Sequence, residues 1–388
     1  MDIQTAKQAV IDAGKKLVET GLIARTWGNV SCRIDADSFV ITPSGKAYDG
    51  LTPADIVQVK LADTSYEGEV KPSSEKGVHA EVYKARADIN FVIHTHQNKA
   101  SVLSALSGGI PQPGAAYAEI LGGAVPLGAY GLPGTGKLKK GVAAAIAQTK
   151  GKAVIMAHHG ALCYGTDAAD AFLVASTLEE ACDAFLKQRY QKKYGSAPVS
   201  EAEYVRSITG TNVTAAAVQY SAFCQSDRKT FLLRGTDGSE IICSCAEKKS
   251  GEPTIAACYR EILHARADIS VILAAATPAT LGVSAMGNAL RPQLDDFAQI
   301  IGASMNCANA LDAAVVKALK GRHAVLLKGQ GALCAGKNES DARAVEMIAE
   351  KGCQTLLGSL LCGENQYISG LESRLMRFIY LKKYSKQE

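Results

Sequence analysis

The sequence predicts an α/β layered domain that is present twice in tandem, and three observations support this prediction. The chain has 388 residues, which is too long for one ordinary hydrophobic core and suits two domains of about 150–200 residues each. The second half repeats the first half. Within each copy, amphipathic helical patterns alternate with short apolar runs that are typical of buried strands.

The repeat is clearest around an identical ARADI segment. HAEVYKARADINFVIHTH (79–96) matches YREILHARADISVILAAA (259–276), which lies 180 positions later. Further on, AVIMAHHGALCYG (153–165) matches AVLLKGQGALCAG (324–336) at a spacing of 171, so the second copy has lost nine residues between these blocks. The loss is about the length of the loop PLGAYGLPGTG (126–136), which lies between the two blocks.

The predicted elements follow one order in both copies. The start MDIQTAKQAV has the pattern of an amphipathic helix and no signal-peptide core. Each copy then has a helix, an apolar run (FVI or VIL), another helix, a second apolar run (AVIM or AVLL) and a long final helix. We assign the first domain to residues 1–205 and the second to residues 206–388, with a linker in 194–214, where Gly, Pro, Ser and Thr cluster.

The composition excludes several classes of protein. Hydrophobic residues make up 47% and charged residues 21%, as in a globular and not a disordered chain. The 42 basic and 38 acidic residues are mixed along the chain, so we expect neither nucleic acid nor a membrane surface as partner. Eleven cysteines without an export signal favour reduced thiols in the cytoplasm. The pair Cys243 and Cys245 lacks a second pair, and we expect buried thiols there, not a metal site.

A group of polar residues disappears from the second copy, whereas the apolar and glycine positions persist. The residues lost are Glu75, His94, His96 and His159, which align with Ile255, Ala274, Ala276 and Gln330. A structural network would rarely lose all of its members while the surrounding core is kept. The four residues of the first copy therefore predict one functional site.

The histidines in this group have the spacing of a metal site. His94 and His96 lie two positions apart at the end of an apolar run, so both side chains point to the same face of a strand. In the next strand end, AHHG, His158 and His159 cannot both point inward; we favour His159 as the ligand and His158 as a neighbouring contact. Three histidines with an open coordination position are typical of a catalytic zinc site, and another divalent metal is an alternative.

Glu75 opens the helical pattern SSEKGVHAEVY, with His79 one turn later. Taken alone, Glu75 would be an acidic residue that caps a helix start. Its loss together with the histidines favours a functional carboxylate near the metal. His79 aligns with Tyr259, another large ring, so we expect a structural or supporting role for it.

Three short segments, GNVS (28–31), TPSG (42–45) and SS (73–74), suit the binding of an anion. Their small residues offer backbone N–H groups and hydroxyls, and the last segment precedes a helix, whose N-terminus favours phosphate. Together with the metal site they suggest a phosphorylated substrate. The segment GLPGTGKLKK (131–140) lacks the full spacing of a P-loop.

The motifs GNVS, TPSG, SSE-x3-H, H-x-H and HHG, in this order, resemble the class II aldolase/adducin family, which includes L-fuculose-phosphate aldolase and L-ribulose-5-phosphate 4-epimerase. The resemblance covers about residues 5–190, and the second half resembles the same fold without its site. It implies a three-layer α/β/α class II aldolase-like domain with mixed strands, duplicated in tandem.

Carried over residue by residue, the resemblance makes His94, His96 and His159 the zinc ligands and Glu75 the proton-transferring carboxylate. The residues that would hold the substrate phosphate are Gly28, Asn29, Ser44, Gly45, Ser73 and Ser74. Tyr117, and secondarily Tyr130, would be donated to the site of a neighbouring subunit.

The counterpart of Tyr117 is Phe297, which follows Asp295 and Asp296. For these two aspartates we favour a solvated turn over a substitute acid. The implied assembly is a homo-oligomer, a dimer whose four domains mimic a family tetramer.

The resulting functional expectation is a zinc-dependent lyase that cleaves a small sugar phosphate through an enediolate. Two alternatives stay open at this point. The first is an epimerase or dehydratase on the same metal scaffold, for which Glu119 is a candidate acid. The second is a non-catalytic, adducin-like assembly protein.

Overall fold

The computed structural model describes residues 1–23, 27–211 and 218–384, and the chain divides into two compact units. The first unit comprises Met1–Arg189, Glu364–Gln366 and the residues from Ile379 onward, and the second comprises Tyr190–Gly363 and Tyr367–Phe378. The predicted linker, 194–214, contains a helix at Glu201–Thr209 and is not a plain loop. Residues 212–214 of that linker lie outside the described residues.

The described residues of the first unit form six α-helices and seven strands. The strands are β1 (Asn29–Arg33), β2 (Ser38–Ile41), β3 (Val57–Lys60), β4 (Phe91–Thr95), β5 (Leu127–Gly128), β6 (Ala153–Met156) and β7 (Gly160–Gly165). The helices are α1 (Ile3–Glu19), α2 (Lys76–Ala85), α3 (Asn98–Ser104), α4 (Ala115–Leu121), α5 (Gly136–Ile146) and α6 (Ala168–Tyr194), with a short 3-10 helix at Tyr48–Gly50. The N-terminal helix and the long final helix confirm the predicted pattern.

The second unit repeats this order of elements. Its strands are β8 (Tyr220–Cys224), β9 (Thr230–Gly235), β10 (Glu240–Ser244), β11 (Val271–Ala275), β12 (Asn306–Ala308), β13 (Ala324–Leu327) and β14 (Gly331–Gly336). The remaining helices of the chain are α7 (Glu201–Thr209), α8 (Thr254–Ala265), α9 (Pro278–Ala285), α10 (Asp295–Ile300), α11 (Ala313–Ala318), α12 (Glu339–Cys362), α13 (Gly370–Ile379) and a π-helix at Tyr380–Tyr384. Among the described residues, none of the helices combines the length and the apolar character that a membrane crossing requires.

Within the part of the chain that the structure describes, each unit has a seven-stranded sheet, and the two sheets have the same strand order. The orders are β3-β2-β1-β4-β7-β6-β5 and β10-β9-β8-β11-β14-β13-β12. Neighbouring strands are antiparallel except at β5–β6 and β12–β13, which are parallel. The duplication and the mixed sheet are therefore confirmed.

Alternation of side chains along the strands divides the core of the first unit between the two faces of the sheet. Phe91 and Ile93 of β4 belong to a cluster with residues of α1 and α6, whereas Val92 belongs to a cluster with residues of α2 and α5. Helices thus cover both faces, and the predicted three-layer α/β/α arrangement is confirmed. Because the period of a strand is two residues, His94 faces the α2 side with Val92.

The structure locates the nine-residue loss in the second copy. Strand β12 pairs with β13 as β5 pairs with β6, so the loss follows the strand, and α11 spans 6 residues where α5 spans 11. One sequence prediction about the second copy needs correction. Asp295 and Asp296 do not form a solvated turn. They are buried at the start of α10, where Lys351 of α12 donates to the Asp296 carboxylate and neutralises its charge.

Candidate metal centre

The central strand β4 and the β6–β7 turn bring the three histidines together. β4 lies between β1 and β7, with His94 opposite Asn29 on one side and Leu162 on the other. His159 belongs to the turn that closes between Met156 and Gly160. His158 has a positive φ of 60° in this turn. A Cβ at Gly160 would lie 2.2 Å from the Thr95 carbonyl oxygen, so only glycine allows the turn to approach β4 this closely.

His94, His96 and His159 form a compact cluster. One ligand nitrogen from each lies within 4.8 Å of the others, and the ring centroids are 4.7–5.0 Å apart. His94 and His159 are buried, and His96 is half-buried. Among the described residues, the buried Nε2 atom of His94 has no hydrogen-bond partner. An available imidazole nitrogen beside two further imidazoles fits a divalent transition metal, which prefers such ligands.

Glu75 lies against this cluster and not over the start of its own helix. It occupies the N-cap position of α2, but its side chain makes no capping hydrogen bond. Its Oε2 lies 2.5 Å from Nδ1 of His94, and its Oε1 lies 2.9 Å from Nε2 of His159. Burial raises the pKa of the Glu75 carboxyl, but the nearby His94 and His159 outweigh this effect and hold the pKa well below its usual range. Glu75 is therefore a buried carboxylate in contact with two candidate ligands.

Asn29 and His79 connect Glu75 to the interior of the first unit. The Asn29 side-chain amide lies 3.2 Å from Glu75 Oε2 and 2.5 Å from His79 Nε2. Burial, with a smaller contribution from His94, lowers the pKa of His79 to about 3, so this imidazole is neutral near pH 7. Asn29 lies between His79 and Glu75 and contacts both side chains. This position agrees with the supporting role predicted for His79.

The segments predicted to hold a phosphate lie side by side next to Glu75. Backbone bonds join Ser44 to Lys71 at 2.9 Å and Ser73 to Thr42 at 3.0 Å. The Ser73 hydroxyl accepts from the Glu75 backbone N–H at 3.2 Å, and Ser74 is exposed at the start of α2. Gly45 has a positive φ of 71°.

Gly28 fixes the other predicted anion-binding segment against the metal cluster. Its φ is 121°, and a Cβ here would lie 2.7 Å from the His94 carbonyl oxygen. The Tyr48 hydroxyl donates to the Gly28 carbonyl at 2.9 Å. The amide nitrogen of Asn29 points toward Glu75 and His94, and the phosphate contact of Asn29 stays a prediction.

The two tyrosines predicted as donors differ in their surroundings. Tyr130 packs edge-on against His158, with ring centroids 5.2 Å apart, so it lies beside the cluster of its own unit. Tyr117 is half-buried on α4, next to Gly114, and no described contact joins it to the three histidines. Its role as a donor to another subunit stays a prediction.

Comparison with known families identifies both units. The profile of the class II aldolase and adducin N-terminal domain matches residues 8–186 and again residues 199–357, which together exceed half of the chain. The chain belongs to this family. The two matches correspond to the two units, so the resemblance that the motifs indicated is confirmed for the whole tandem.

Among solved structures, the chain is similar to an L-fuculose 1-phosphate aldolase at 32% identity, with a TM-score of 0.45 over 50% of this chain and 89% of the other. It is also similar to an L-fuculose-1-phosphate aldolase from Thermus thermophilus, at 30% identity and a TM-score of 0.42, over 50% and 98% of the two chains. A sugar-phosphate aldolase from Thermotoga maritima matches at 18% identity and a TM-score of 0.42, over 50% and 98%.

Two residues of the first unit make contacts near the site that the sequence did not predict. Ser31 and Tyr83 extend the polar contacts behind His79, with Ser31 Oγ 2.6 Å from His79 Nδ1 and 2.8 Å from the Tyr83 hydroxyl. The signal for Tyr83 was present in the repeat, because Tyr83 aligns with Leu263 at the spacing of 180 that also exposed the histidines. Ser31 belongs to GNVS (28–31), which was predicted only to bind an anion, and it lies before the segment in which that register was established.

Proposed function

We propose that the first unit is a zinc-dependent lyase that cleaves a small sugar phosphate into an aldehyde and a two- or three-carbon phosphate through an enediolate. The observation that carries this proposal is the buried Glu75 carboxylate in contact with two of three clustered histidines. Within a family of aldolases and related proteins, a metal cluster and an adjacent base suit chemistry at the carbon next to a carbonyl group.

His94, His96 and His159 would hold the metal. When bound, a divalent metal supplies Lewis-acid chemistry that stabilises negative charge on substrate oxygens. The family's use of divalent metals and the all-imidazole donor set support zinc over magnesium or calcium, which prefer oxygen ligands.

Glu75 would move the proton to or from the reacting carbon. Its pKa lies well below the usual range, so it is ionised near pH 7 and able to accept a proton. A positioned general base contributes about 10²–10⁴-fold to a rate. Burial of Glu75 also keeps bulk water away from this transfer.

Substrate phosphate would bind to Gly28, Ser44, Gly45, Ser73 and Ser74, with Asn29 at the inner end of the group. The proximity of these segments to Glu75 supports this assignment. The start of α2 adds the favourable interaction of a helix N-terminus with an anion.

The organisation around this activity is also part of the proposal. We assign the catalytic domain to residues 1–205 and the degenerate domain to residues 206–388. The duplication supports a homodimer whose four domains resemble a family tetramer, with Tyr117 donated to the site of another subunit. A cytoplasmic location fits the eleven cysteines, all of which are free thiols.

The test begins with metal analysis of the purified protein. It continues with a screen of ketose 1-phosphates and pentulose 5-phosphates for aldehyde release. We expect Glu75→Gln to lower kcat by about 10²–10⁴-fold, because the amide cannot accept the proton. The matched control is Glu81→Gln on the same helix, whose carboxylate faces Lys84 at 4.0 Å; it keeps wild-type kcat.

Three outcomes would overturn the proposal. Full activity of Glu75→Gln would remove the proposed base. An epimeric product without free aldehyde would assign the site to an epimerase. A metal-free protein that binds no sugar phosphate would favour an assembly role for both units.

A further inference from the structure

A series of buried polar side chains leads from the interior of the first unit to Glu75. The Tyr83 hydroxyl lies 2.8 Å from Ser31 Oγ, which lies 2.6 Å from His79 Nδ1. His79 Nε2 lies 2.5 Å from Asn29 Oδ1, and Asn29 Nδ2 lies 3.2 Å from Glu75 Oε2. All five side chains are at least nine-tenths buried. We call this series the Tyr83–Glu75 chain.

We propose that Tyr83, Ser31 and His79 are positioning residues that act through Asn29 to hold the Glu75 carboxylate in one orientation. The inference rests on the proposed function, because it assigns Glu75 the proton transfer. It goes beyond that function by extending the machinery from the metal cluster into the core.

The chemistry of each group fixes the direction of every hydrogen bond in the chain. A carboxylate only accepts, so the Asn29 amide must direct its NH2 group toward Glu75 and its oxygen toward His79. An amide oxygen also only accepts, so His79 donates from Nε2.

The directions of the other two hydrogen bonds in the Tyr83–Glu75 chain follow from the neutral state of His79. A neutral imidazole carries one proton, so Nδ1 accepts from the Ser31 hydroxyl. The Ser31 oxygen then accepts from the Tyr83 hydroxyl. All four hydrogen bonds therefore donate toward Glu75, and the reverse orientation of Asn29 would place its oxygen against a negative charge.

This arrangement orients Glu75 but does not conduct protons. A proton relay needs groups that both accept and release a proton, and the Asn29 amide does neither readily near pH 7. What the amide does provide is a fixed donor to Oε2, while Oε1 faces His159. Fixing both oxygens leaves the carboxylate one conformation, which lowers the entropy that must be lost before reaction.

The second unit shows that the fold does not require this chain. The β1–β4 and β8–β11 registers align Asn29 with Tyr220 and Ser31 with Ala222. At the remaining positions the second unit has Ile255, Tyr259 and Leu263, all buried in its core. The Tyr259 hydroxyl donates to a backbone carbonyl, that of Tyr220. The second unit, in which Ile255 replaces Glu75, thus has no counterpart of the Tyr83–Glu75 chain at these described positions.

The first test measures the hydrogen bonds of His79 and Asn29 by NMR in the metal-free protein. Imidazole ¹⁵N NMR of His79 should show the tautomer protonated on Nε2, with Nδ1 as a hydrogen-bond acceptor, near pH 7. Ser31→Ala and Tyr83→Phe should shift the Asn29 side-chain amide signals. Ser284→Ala is the control, because Ser284 is a buried serine of the second unit that donates to the Leu281 carbonyl; it should leave these signals unchanged.

The second test separates positioning from folding. Ser31→Ala should lower kcat about tenfold, the effect of one lost hydrogen bond, with KM and metal content unchanged. The triple variant Ser31→Ala, His79→Tyr, Tyr83→Leu imports the residues of the second unit. It should fold, bind metal and lose more activity than Ser31→Ala.

The results that overturn the inference differ from those that overturn the proposed function. A His79 tautomer protonated on Nδ1, or wild-type kcat in both Ser31→Ala and the triple variant, would reject the positioning role. Full activity of Glu75→Gln would instead reject the role of Glu75, whatever the tautomer of His79. The NMR measurement needs neither metal nor substrate, so it decides the geometry on its own.

Discussion

The two units have the same sheet and the same register, but they use polar side chains in different ways. β4 pairs with β7 so that Phe91 faces Gly165, and β11 pairs with β14 so that Val271 faces Gly336. Beside β4 the first unit collects histidines and a carboxylate, whereas the corresponding positions near β11 are Ala274, Ala276 and Ile255. The second unit has thus lost the carboxylate and the imidazoles of this site, although it keeps the sheet and its register.

Polar contacts that both units keep have structural functions. Arg86 pairs with Asp88 and donates to the carbonyls of Lys150 and Gly151. Arg266 pairs with Asp268 and donates to the carbonyls of Leu319 and Arg322 in the corresponding loop. The arginine of the identical ARADI segment therefore joins the end of a helix to a later loop through hydrogen bonds in both units. Glu179 likewise accepts from the first N–H groups of α3, and its counterpart Glu350 accepts from Thr277 before α9.

Residues that both copies retain thus support the fold, whereas the residues lost from the second copy belong to the proposed site. A strong test replaces the first unit's ligands with the second unit's residues, as His94→Ala, His96→Ala and His159→Gln. We expect complete loss of bound metal and of activity, because no imidazole remains in the cluster. Metal content by mass spectrometry and the lyase assay provide the measurements.

The control for this replacement is His264→Ala in the second unit, where the imidazole contacts the Cys245 carbonyl oxygen. It should keep the wild-type metal content and activity. If the triple variant still bound metal as tightly as the wild type, the distinction between the two units would be wrong.

A smaller effect is expected from paired glycine substitutions. Gly160→Ala would place a Cβ 2.2 Å from the Thr95 carbonyl oxygen, and Gly331→Ala would place one 2.3 Å from the Ala275 carbonyl oxygen. Each should destabilise its own unit by about 1–3 kcal/mol, which calorimetry can measure. Only Gly160→Ala should also weaken metal binding, because Gly160 follows His159 and Thr95 lies between His94 and His96. Equal losses of metal affinity in the two variants would contradict this difference.

The sequence was sufficient for the parts of the site that lie near each other along the chain. His94 and His96 share one strand end, and the repeat showed that His159 and Glu75 vanish with them. Strand periodicity then placed the imidazoles on one face. The layered fold followed from the same alternation of apolar runs and helices.

The parts that could not be predicted depend on contacts between distant segments. The bonds from Ser31 to His79 and Tyr83 join residues about 50 positions apart, and they exist because β1 pairs with β4 beneath α2. Asp296 gave no sequence signal of burial, since its partner Lys351 lies 55 positions away. The exact position of the nine-residue loss became clear only from the pairing of β12 with β13, which shows that the missing residues follow β12.

The most direct test of the account is the number and location of metal ions in the wild-type protein. Elemental analysis should give one divalent ion per chain, and anomalous X-ray scattering should place it between His94, His96 and His159. Two ions per chain, or an ion bound in the second unit, would contradict the division of labour between the units. A chain that binds no divalent metal at neutral pH would contradict the account as a whole.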